Sequence, residues 1–369
     1  MKILITGSRG FIGKNLIIEL KNQKYLDILE FDIDTEATLL DKYCEEADFV
    51  FHLAGVNRPQ NQSEFIEGNV DFSATLLKNL KKHNNLCPIM VSSSIQATLD
   101  NPYGKSKKAG EELFFSYARD TGAKVLVYRF PNVFGKWCRP NYNSAIATFC
   151  NNIAHNLPIV VNDRSVVLNL VYIDDVVKEL INALRGIENS VGDFYKVPID
   201  YSISLGEVVD LLYSFKYNRE ERSIPDMSSE FIKKLYSTYL SYLPKDQFSY
   251  LLKMNKDNRG SFTEFIRTPE RGQVSVNIMK PGITKGNHWH HSKNEKFLTV
   301  SGNGVIRLRK VGSDEVIEYY TNGEKLEVVD IPVGYTHSIE NKGNVDMVTI
   351  MWANECFDPE NPDTYYLEV

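Results

Sequence analysis

The sequence predicts two architectures in one chain: a layered α/β part on a parallel sheet, then a small all-β barrel or jelly roll. Three observations carry this reading. Apolar runs of strand length alternate with helical stretches from Met1 to Leu243. A glycine-rich turn follows the first of these runs at once. From Gln247 onward, short alternating runs broken by Gly, Asn and Asp replace the strand–helix alternation. The expected domains are residues 1–243 and 247–369, divided at Pro244-Lys-Asp246.

The first strand is Ile3-Leu-Ile5, apolar enough to be buried on both faces, and Gly7, Gly10 and Gly13 follow it. The amphipathic stretch Phe11 to Leu20 reads as a helix. Strand, glycine turn and helix form half of a Rossmann dinucleotide-binding unit. Gly7 permits the tight turn, Gly10 admits a pyrophosphate to the helix's positive end, and Gly13 allows close helix–strand packing. Asp27 to Phe31 is a second strand ending at Asp32, Asp34 to Glu46 a helix, and Asp48 to Ala54 a strand. A helix spans Ser63 to His83, and Pro88 to Ser94 is a buried strand closing in three serines. Pro102 is placed to start a helix on which Tyr103 and Lys107, at i and i+4, share one face. A phenol with pKa near about 10 exchanges protons poorly at neutral pH unless a cation lowers it, and Lys107 can supply that charge. Lys124 to Phe130 is a further strand. Asp174 or Asp175 is expected to cap the next helix, and Ser204 the helix from Leu205 to Phe215. Ile224 to Leu243 is tyrosine-rich and helical, with Tyr236, Tyr239, Leu240 and Leu243 as a packing face.

Composition sets outer bounds. The 369 residues exceed one typical core, and 43% hydrophobic with 24% charged residues describes an ordinary globular protein. A net charge of −6 without a Lys/Arg run argues against a nucleic-acid partner. Five scattered cysteines (Cys44, Cys87, Cys138, Cys150, Cys356) without a C-x-x-C pair read as reduced thiols. The chain enters a strand at once, leaving no room for a signal peptide, and no run approaches the roughly 18 apolar residues of a membrane span. A cytoplasmic enzyme with no membrane partner is the expectation.

The Gly-x-x-Gly-x-x-Gly turn, a strand ending Ser92-Ser-Ser94, Tyr103-Gly-Lys-Ser-Lys107 and Arg129-Phe-Pro-Asn-Val-Phe-Gly135 together resemble the extended short-chain dehydrogenase/reductases that act on sugar nucleotides. Leu170-Val-Tyr-Ile-Asp-Asp-Val-Val177 resembles a further element of that family. The resemblance implies catalytic Ser94, Tyr103 and Lys107. It implies a nicotinamide cofactor held by Gly7, Arg9, Gly10, Phe11, Ile12, Gly13, Asp32, Leu53, Ala54, Gly55, Tyr103, Lys107 and Arg129. Two signals conflict over which cofactor. Asp32 suits a ribose 2′-hydroxyl and NADH, whereas Arg9 in the glycine turn suits a 2′-phosphate; the family resemblance favours NADPH. The family places a structural asparagine at Asn69. His52 reads equally as a core histidine and as a pocket contact, and Arg164 as a surface charge. Between Asp32 and Asp48 the chain is too short for the extra strand usual in the extended family, as in the compact 4-ketoreductases that make deoxyhexoses.

The final third resembles the cupins. Gly282, His288-x-His290, Glu295 and Gly302 match the first cupin motif, and Pro332-Val-Gly334-Tyr-Thr-His337 with Asn341 matches the second, although the preceding glycine is displaced. In a strand His288 and His290 point to one side, so His288, His290, Glu295 and His337 can share one divalent ion. Sequence cannot choose among Zn, Fe, Mn and Ni; Zn is expected, because polarising a ketone needs no redox change. His291 faces the other way. Asp257-Asn-Arg-Gly-Ser-Phe-Thr-Glu264 resembles the entry segment of cupin deoxysugar epimerases.

The joined pair is similar to bifunctional capsule-biosynthesis enzymes. That resemblance implies a UDP-sugar substrate, C3 epimerisation of a 4-keto-6-deoxy sugar by the cupin, C4 reduction by the first domain, and a homodimer. A base for the epimerisation is left open among Tyr335, Glu264 and Lys285. The alternatives are a single-activity 4-ketoreductase whose cupin only binds or dimerises, a redox-sensing regulator, and a cupin dioxygenase.

Overall fold

The computed structural model describes residues 1–59, 61, 63–268 and 270–369. It divides into two compact units: Met1–Tyr213 with Ser229–Pro244, and Ser214–Ser228 with Lys245–Val369. Residues 214–228, inside the expected first domain, thus count with the β unit.

The first unit runs β1 (Ile3–Thr6), α1 (Phe11–Asn22), β2 (Ile28–Phe31), α2 (Thr38–Glu46), β3 (Phe49–His52), α3 (Ser63–Ile66), α4 (Phe72–Lys82), β4 (Ile89–Ser94), α5 (Pro102–Thr121), β5 (Val125–Phe130) and β6 (Asn132–Phe134). It continues through α6 (Ala145–Ala154), β7 (Val167–Tyr172), α7 (Ile173–Leu184), β8 (Ser190–Val191), β9 (Phe194–Tyr195), β10 (Tyr201–Ser204), α8 (Leu205–Glu220), whose residues from Ser214 on count with the second unit, and α9 (Glu230–Leu240). The main sheet has the order β2-β1-β3-β4-β5-β9-β8, parallel from β2 to β9, and a second sheet is β10-β7-β6. Because no strand lies between β2 and β3, the order reverses at β1 and β3, and ligands bind at the carboxyl ends of strands flanking such a switch. Thr6 is in register with Phe31 and His52, so Gly7, Asp32 and Leu53 leave the sheet along one edge.

Alternation in β1 explains its complete burial. Ile3 and Ile5 join one core cluster with Leu16, Leu20, Phe51, Tyr128 and Leu180, while Leu4 joins the opposite cluster with Val50, Leu76, Leu80 and Phe114. Helices α1 and α7 cover the first face and α2, α4 and α5 the second; each buried Leu or Ile contributes roughly 1.5–3 kcal/mol. The predicted helix from Ser63 to His83 is interrupted by a π-helical turn at Glu67–Asp71. Helix α5 begins as expected: the Asn101 carboxamide accepts from Gly104 N (2.8 Å) and Pro102 occupies the first turn. Ser204 and Glu207 form a reciprocal capping box at α8. The expected cap on α7 is corrected. Tyr172 is its N-cap residue, and Asp174 and Asp175 sit in the first turn, paired with Lys136 and Lys234.

The second unit holds β11 (Asn255–Asp257), β12 (Gly260–Thr268), β13 (Gly272–Met279), β14 (Thr284–Trp289), β15 (Glu295–Ser301), β16 (Asn303–Lys310), β17 (Val316–Asn322), β18 (Val328–Ile331), β19 (Tyr335–Asn341), β20 (Met347–Ala353) and β21 (Tyr365–Tyr366). These form a cupin-like sandwich of two antiparallel sheets, β11-β12-β13-β20-β15-β18 and β17-β16-β19-β14-β21. Met279, Phe297, Ile306, Leu308, Val329, Ile331, Ile339 and Met347 form its apolar core. Among the described residues, no helix is long and apolar enough to cross a membrane.

Candidate functional sites

The glycine turn follows from backbone sterics. Gly7 has φ +67°, and a Cβ there would lie 2.7 Å from Ala54 N. A Cβ on Gly13 would lie 2.4 Å from Gly7 O, so α1 meets β1 with no room for a side chain. No side chain caps α1 at Gly10, which leaves its first N–H groups free for an anion. Phe11 and Ile12 pack this first turn onto the core. Arg9 N donates to Asp32 (2.7 Å), whose other carboxylate oxygen accepts from Ile33 N (2.9 Å), and the Arg9 guanidinium pairs with Asp34. Asp32 does not cap α2, whose N-cap residue is Ala37. Leu53 N and Ala54 N bond Thr6, which keeps the strand end beside the turn. These residues fit a dinucleotide.

Tyr103, Lys107 and Ser94 lie where the carboxyl end of β4 meets the start of α5. Burial pushes the Tyr103 phenol above its usual range, opposed by the Ser94 hydroxyl near it. Burial pushes the Lys107 ammonium down to about 8, against the pull of Glu111. Lys107 Nζ donates to Ser92 O (3.3 Å) and stands 5.9 Å from the Tyr103 ring centroid. Asn69, in the π turn, explains how this corner is held. Its carboxamide bonds Val56 N and O (both 3.0 Å) and the Ser106 hydroxyl (3.1 Å), tying the segment after Gly55 to α5. His52 is a satisfied core histidine, bonded to Thr6 and Ser73 (both 2.9 Å), and burial lowers its pKa to about 3.

Arg129, expected among the cofactor residues, is engaged by two side chains of the fold. Its guanidinium makes a bidentate pair with the buried Glu111 (2.9 and 2.6 Å) and stacks 3.6 Å from the centroid of Phe194. Ser93 donates to the same carboxylate (2.5 Å). Arg164 is an exposed charge paired with Asp210 (2.7 Å).

In the β unit, His288, His290, Glu295 and His337 each offer one atom, all within 4.8 Å of one another. A bulge between Gly286 and His288, with Asn287 at φ +60°, brings His288 opposite His337. His290 lies just beyond β14 and is buried, while His291 is exposed, stacked edge-on to Trp289. Burial pushes the Glu295 carboxyl up, yet the rings of His290 and His337 outweigh it and hold the group far below the carboxylate range. Burial and His337 lower His288 to about 4, keeping it neutral. The buried His337 carries the fit test: among the described residues neither ring nitrogen has a hydrogen-bond partner, although Nε2 lies 3.1 Å from a Glu295 oxygen. Nitrogens orphaned beside a carboxylate and two more imidazoles suit a divalent ion.

Of the three bases left open by the sequence, Glu264 is paired with Arg222 (3.0 Å) and Arg267 (4.0 Å). Lys285 lies opposite Ile339 in the β14–β19 register and crosses to the other sheet, bonding Asn277 Oδ1 (2.8 Å). Burial lowers its pKa. Asn277 Nδ2 and Thr349 Oγ1, buried on neighbouring strands, have no partner among the described residues. Tyr335 packs against the barrel core two residues before His337. Arg259 is exposed and held by Asp257 (2.6 Å). Sequence reasoning missed Asn277 and Thr349 because polar residues in alternating strands read as solvent-facing.

The chain belongs to the NAD dependent epimerase/dehydratase family, whose model matches residues 3–197. Residues 255–365 match the polysaccharide biosynthesis C-terminal domain. Over 100% of both chains it is similar to the capsular polysaccharide assembling protein CapF from Staphylococcus aureus, at 58% identity and TM-score 0.96. It is 44% identical to the UDP-2-acetamido-2,6-beta-L-arabino-hexul-4-ose reductase of Pseudomonas aeruginosa, over 100% of this chain and 99% of the relative. UDP-glucuronic acid 4-epimerase from Bacillus cereus shares the fold over 66% of this chain and 98% of its own, with TM-score 0.56 at 19% identity.

Proposed function

We propose that this chain is a two-step nucleotide-sugar enzyme of capsule biosynthesis. The cupin unit inverts C3 of a UDP-4-keto-6-deoxy-N-acetylhexosamine, and the α/β unit then reduces the C4 ketone with NADPH. The product is of the UDP-6-deoxy-N-acetyl-L-talosamine type, on the route to UDP-N-acetyl-L-fucosamine. The full-length likeness to a hexul-4-ose reductase supports the reduction. The observation that carries the first step is the three-histidine, one-carboxylate set in the second unit of the same chain, with His290 and His337 buried and His288 and Glu295 half-buried. Chemistry fixes the order, because the C3 proton is acidic only while C4 is a ketone.

In the α/β unit the glycine turn would seat the cofactor's pyrophosphate, and NADPH would supply the hydride. Ser94 would hold the substrate oxygen, Tyr103 would give it a proton, and the Lys107 ammonium would lower the cost of the phenolate and bond the nicotinamide ribose. In the cupin, a divalent ion held by His288, His290, Glu295 and His337 would act as a Lewis acid, with Zn the expected metal. Inversion requires proton removal on one sugar face and return on the other. Lys285 and Tyr335 flank His337 along one face of the β14–β19 pair, which supports assigning them these two roles. Glu264, neutralised by two arginines, is set aside.

The reductase half is tested by incubating the 4-keto substrate with NADPH and following absorbance at the nicotinamide band. Tyr103→Phe should abolish oxidation, and a turnover within about tenfold of wild type would sink the assignment. A single-activity ketoreductase with a binding cupin is the competing reading, and it requires His290→Ala to leave both product and stereochemistry unchanged.

A further inference from the structure

We propose that the C-terminal strap, residues 354–369, sets the tautomer of His290 and thereby the affinity of the four-residue set for its ion. The inference rests on the metal-site reading and is independent of the reaction assigned to that site.

Asp363 is the hinge of the argument. Its carboxylate accepts from three successive backbone N–H groups, His291 (2.9 Å), Ser292 (2.7 Å) and Lys293 (2.9 Å), and from the Ser292 hydroxyl (3.1 Å). Those amides form the turn that leaves the metal strand. Bonds from several N–H groups to one ionised acceptor are the stronger kind, so the turn and the strap are clamped together. The clamp brings the backbone carbonyl of Asp363 against His290 Nδ1. Beyond it the strap is fixed again. Strand β21 pairs with His288 and Trp289, Leu367 N donates to Asn287 O (3.0 Å), and Leu367 O accepts from the Thr336 hydroxyl.

A carbonyl oxygen only accepts, so the ring nitrogen that faces it must carry the proton. Nε2 faces a Glu295 oxygen at 3.3 Å; a divalent ion would displace the proton there, and the neutral imidazole, held as Nδ1–H by the strap, would present its Nε2 lone pair to that ion. The strap, 73 residues away in sequence, therefore supplies the outer hydrogen bond that ligating histidines need for a fixed tautomer and ring plane.

The test uses the full chain, stripped of metal and titrated with Zn against a chromophoric chelator, without substrate. Asp363→Ala should bind Zn about 10–100-fold more weakly. Asp358→Ala, whose carboxylate bonds only within its own turn at Glu360 and Asn361 among the described residues, should bind like wild type. Long-range ¹H–¹⁵N spectra of Zn-loaded wild type, with His290 assigned from His290→Gln, should show the proton on Nδ1 and none on Nε2; this readout stands even if a variant fails to fold. An Nε2–H tautomer with normal Zn uptake overturns the strap's role alone, as does unchanged affinity in a folded Asp363→Ala. Wild type that takes up no Zn overturns the metal-site reading itself.

Discussion

Replacing Arg129 by Met separates a structural role from a cofactor role. Glu111 is 2% exposed, and after the change its carboxylate keeps only the Ser93 hydroxyl. Removing one member of a buried ion pair costs about 3–5 kcal/mol. Arg129 retains 24% side-chain exposure, which screens the pair and points to the lower figure, about 3 kcal/mol. At about 2–4 °C per kcal/mol for a unit of this size, the α/β transition should fall by about 6–12 °C. Calorimetry of the full chain reads that shift, and NADPH fluorescence at 20 °C reads cofactor affinity, which should stay within about twofold of wild type because the guanidinium is spent on Glu111. Adding Glu111→Gln should restore most of the loss, since a neutral amide no longer leaves a charge stranded. A transition within about 2 °C of wild type together with tenfold weaker NADPH binding would refute the reasoning and return Arg129 to the cofactor site.

Other perturbations probe the remaining links. With Lys107 brought down to about 8, the ammonium is present below that pH and lost above it, so kcat/KM for NADPH should fall through an alkaline limb near pH 8; a limb beyond about pH 9.5 contradicts the role. The same shift has a stability sign. The unfolded chain holds this proton to about pH 10.4, so the cost of burying the charge shrinks as pH rises from about 8. Asn69→Leu strips Val56 and Ser106 of their bonds and should cost about 1–3 kcal/mol with a fall in kcat, and an unchanged melt would show the π turn holds without it. Lys285→Met should slow C3 proton exchange by at least about 100-fold while Zn affinity in the chelator titration stays the same; exchange at the wild-type rate removes Lys285 from the reaction. Stripping the metal should lower the β-unit transition, by about 2.7 kcal/mol of stability where free Zn stood at 100 times its Kd, and no shift would mean no bound ion.

Local chemistry made much of this legible. The glycine turn, the Asn101-Pro102 start of α5 and the His288-x-His290 pair depend on neighbours in sequence, and all lie where periodicity and capping put them. Long-range pairing was not legible. Nothing near Arg129 in the sequence announces that Glu111 and Phe194 will engage its guanidinium. The π turn escaped because a helix with one extra residue keeps nearly the same apolar pattern. The burial of Tyr103 was not legible either. In this structure burial dominates the phenol and raises its pKa, an effect that spacing along the chain does not reveal.

The most direct test of the two-step account is proton NMR of a UDP-4-keto-6-deoxy-N-acetylhexosamine in D₂O with the metal-loaded protein and no NADPH. The account expects the C3 proton signal to disappear with wild type and with Tyr103→Phe, and to persist with His290→Ala. A C3 signal that persists with folded, metal-loaded wild type would contradict it and leave a one-step ketoreductase carrying a non-catalytic cupin.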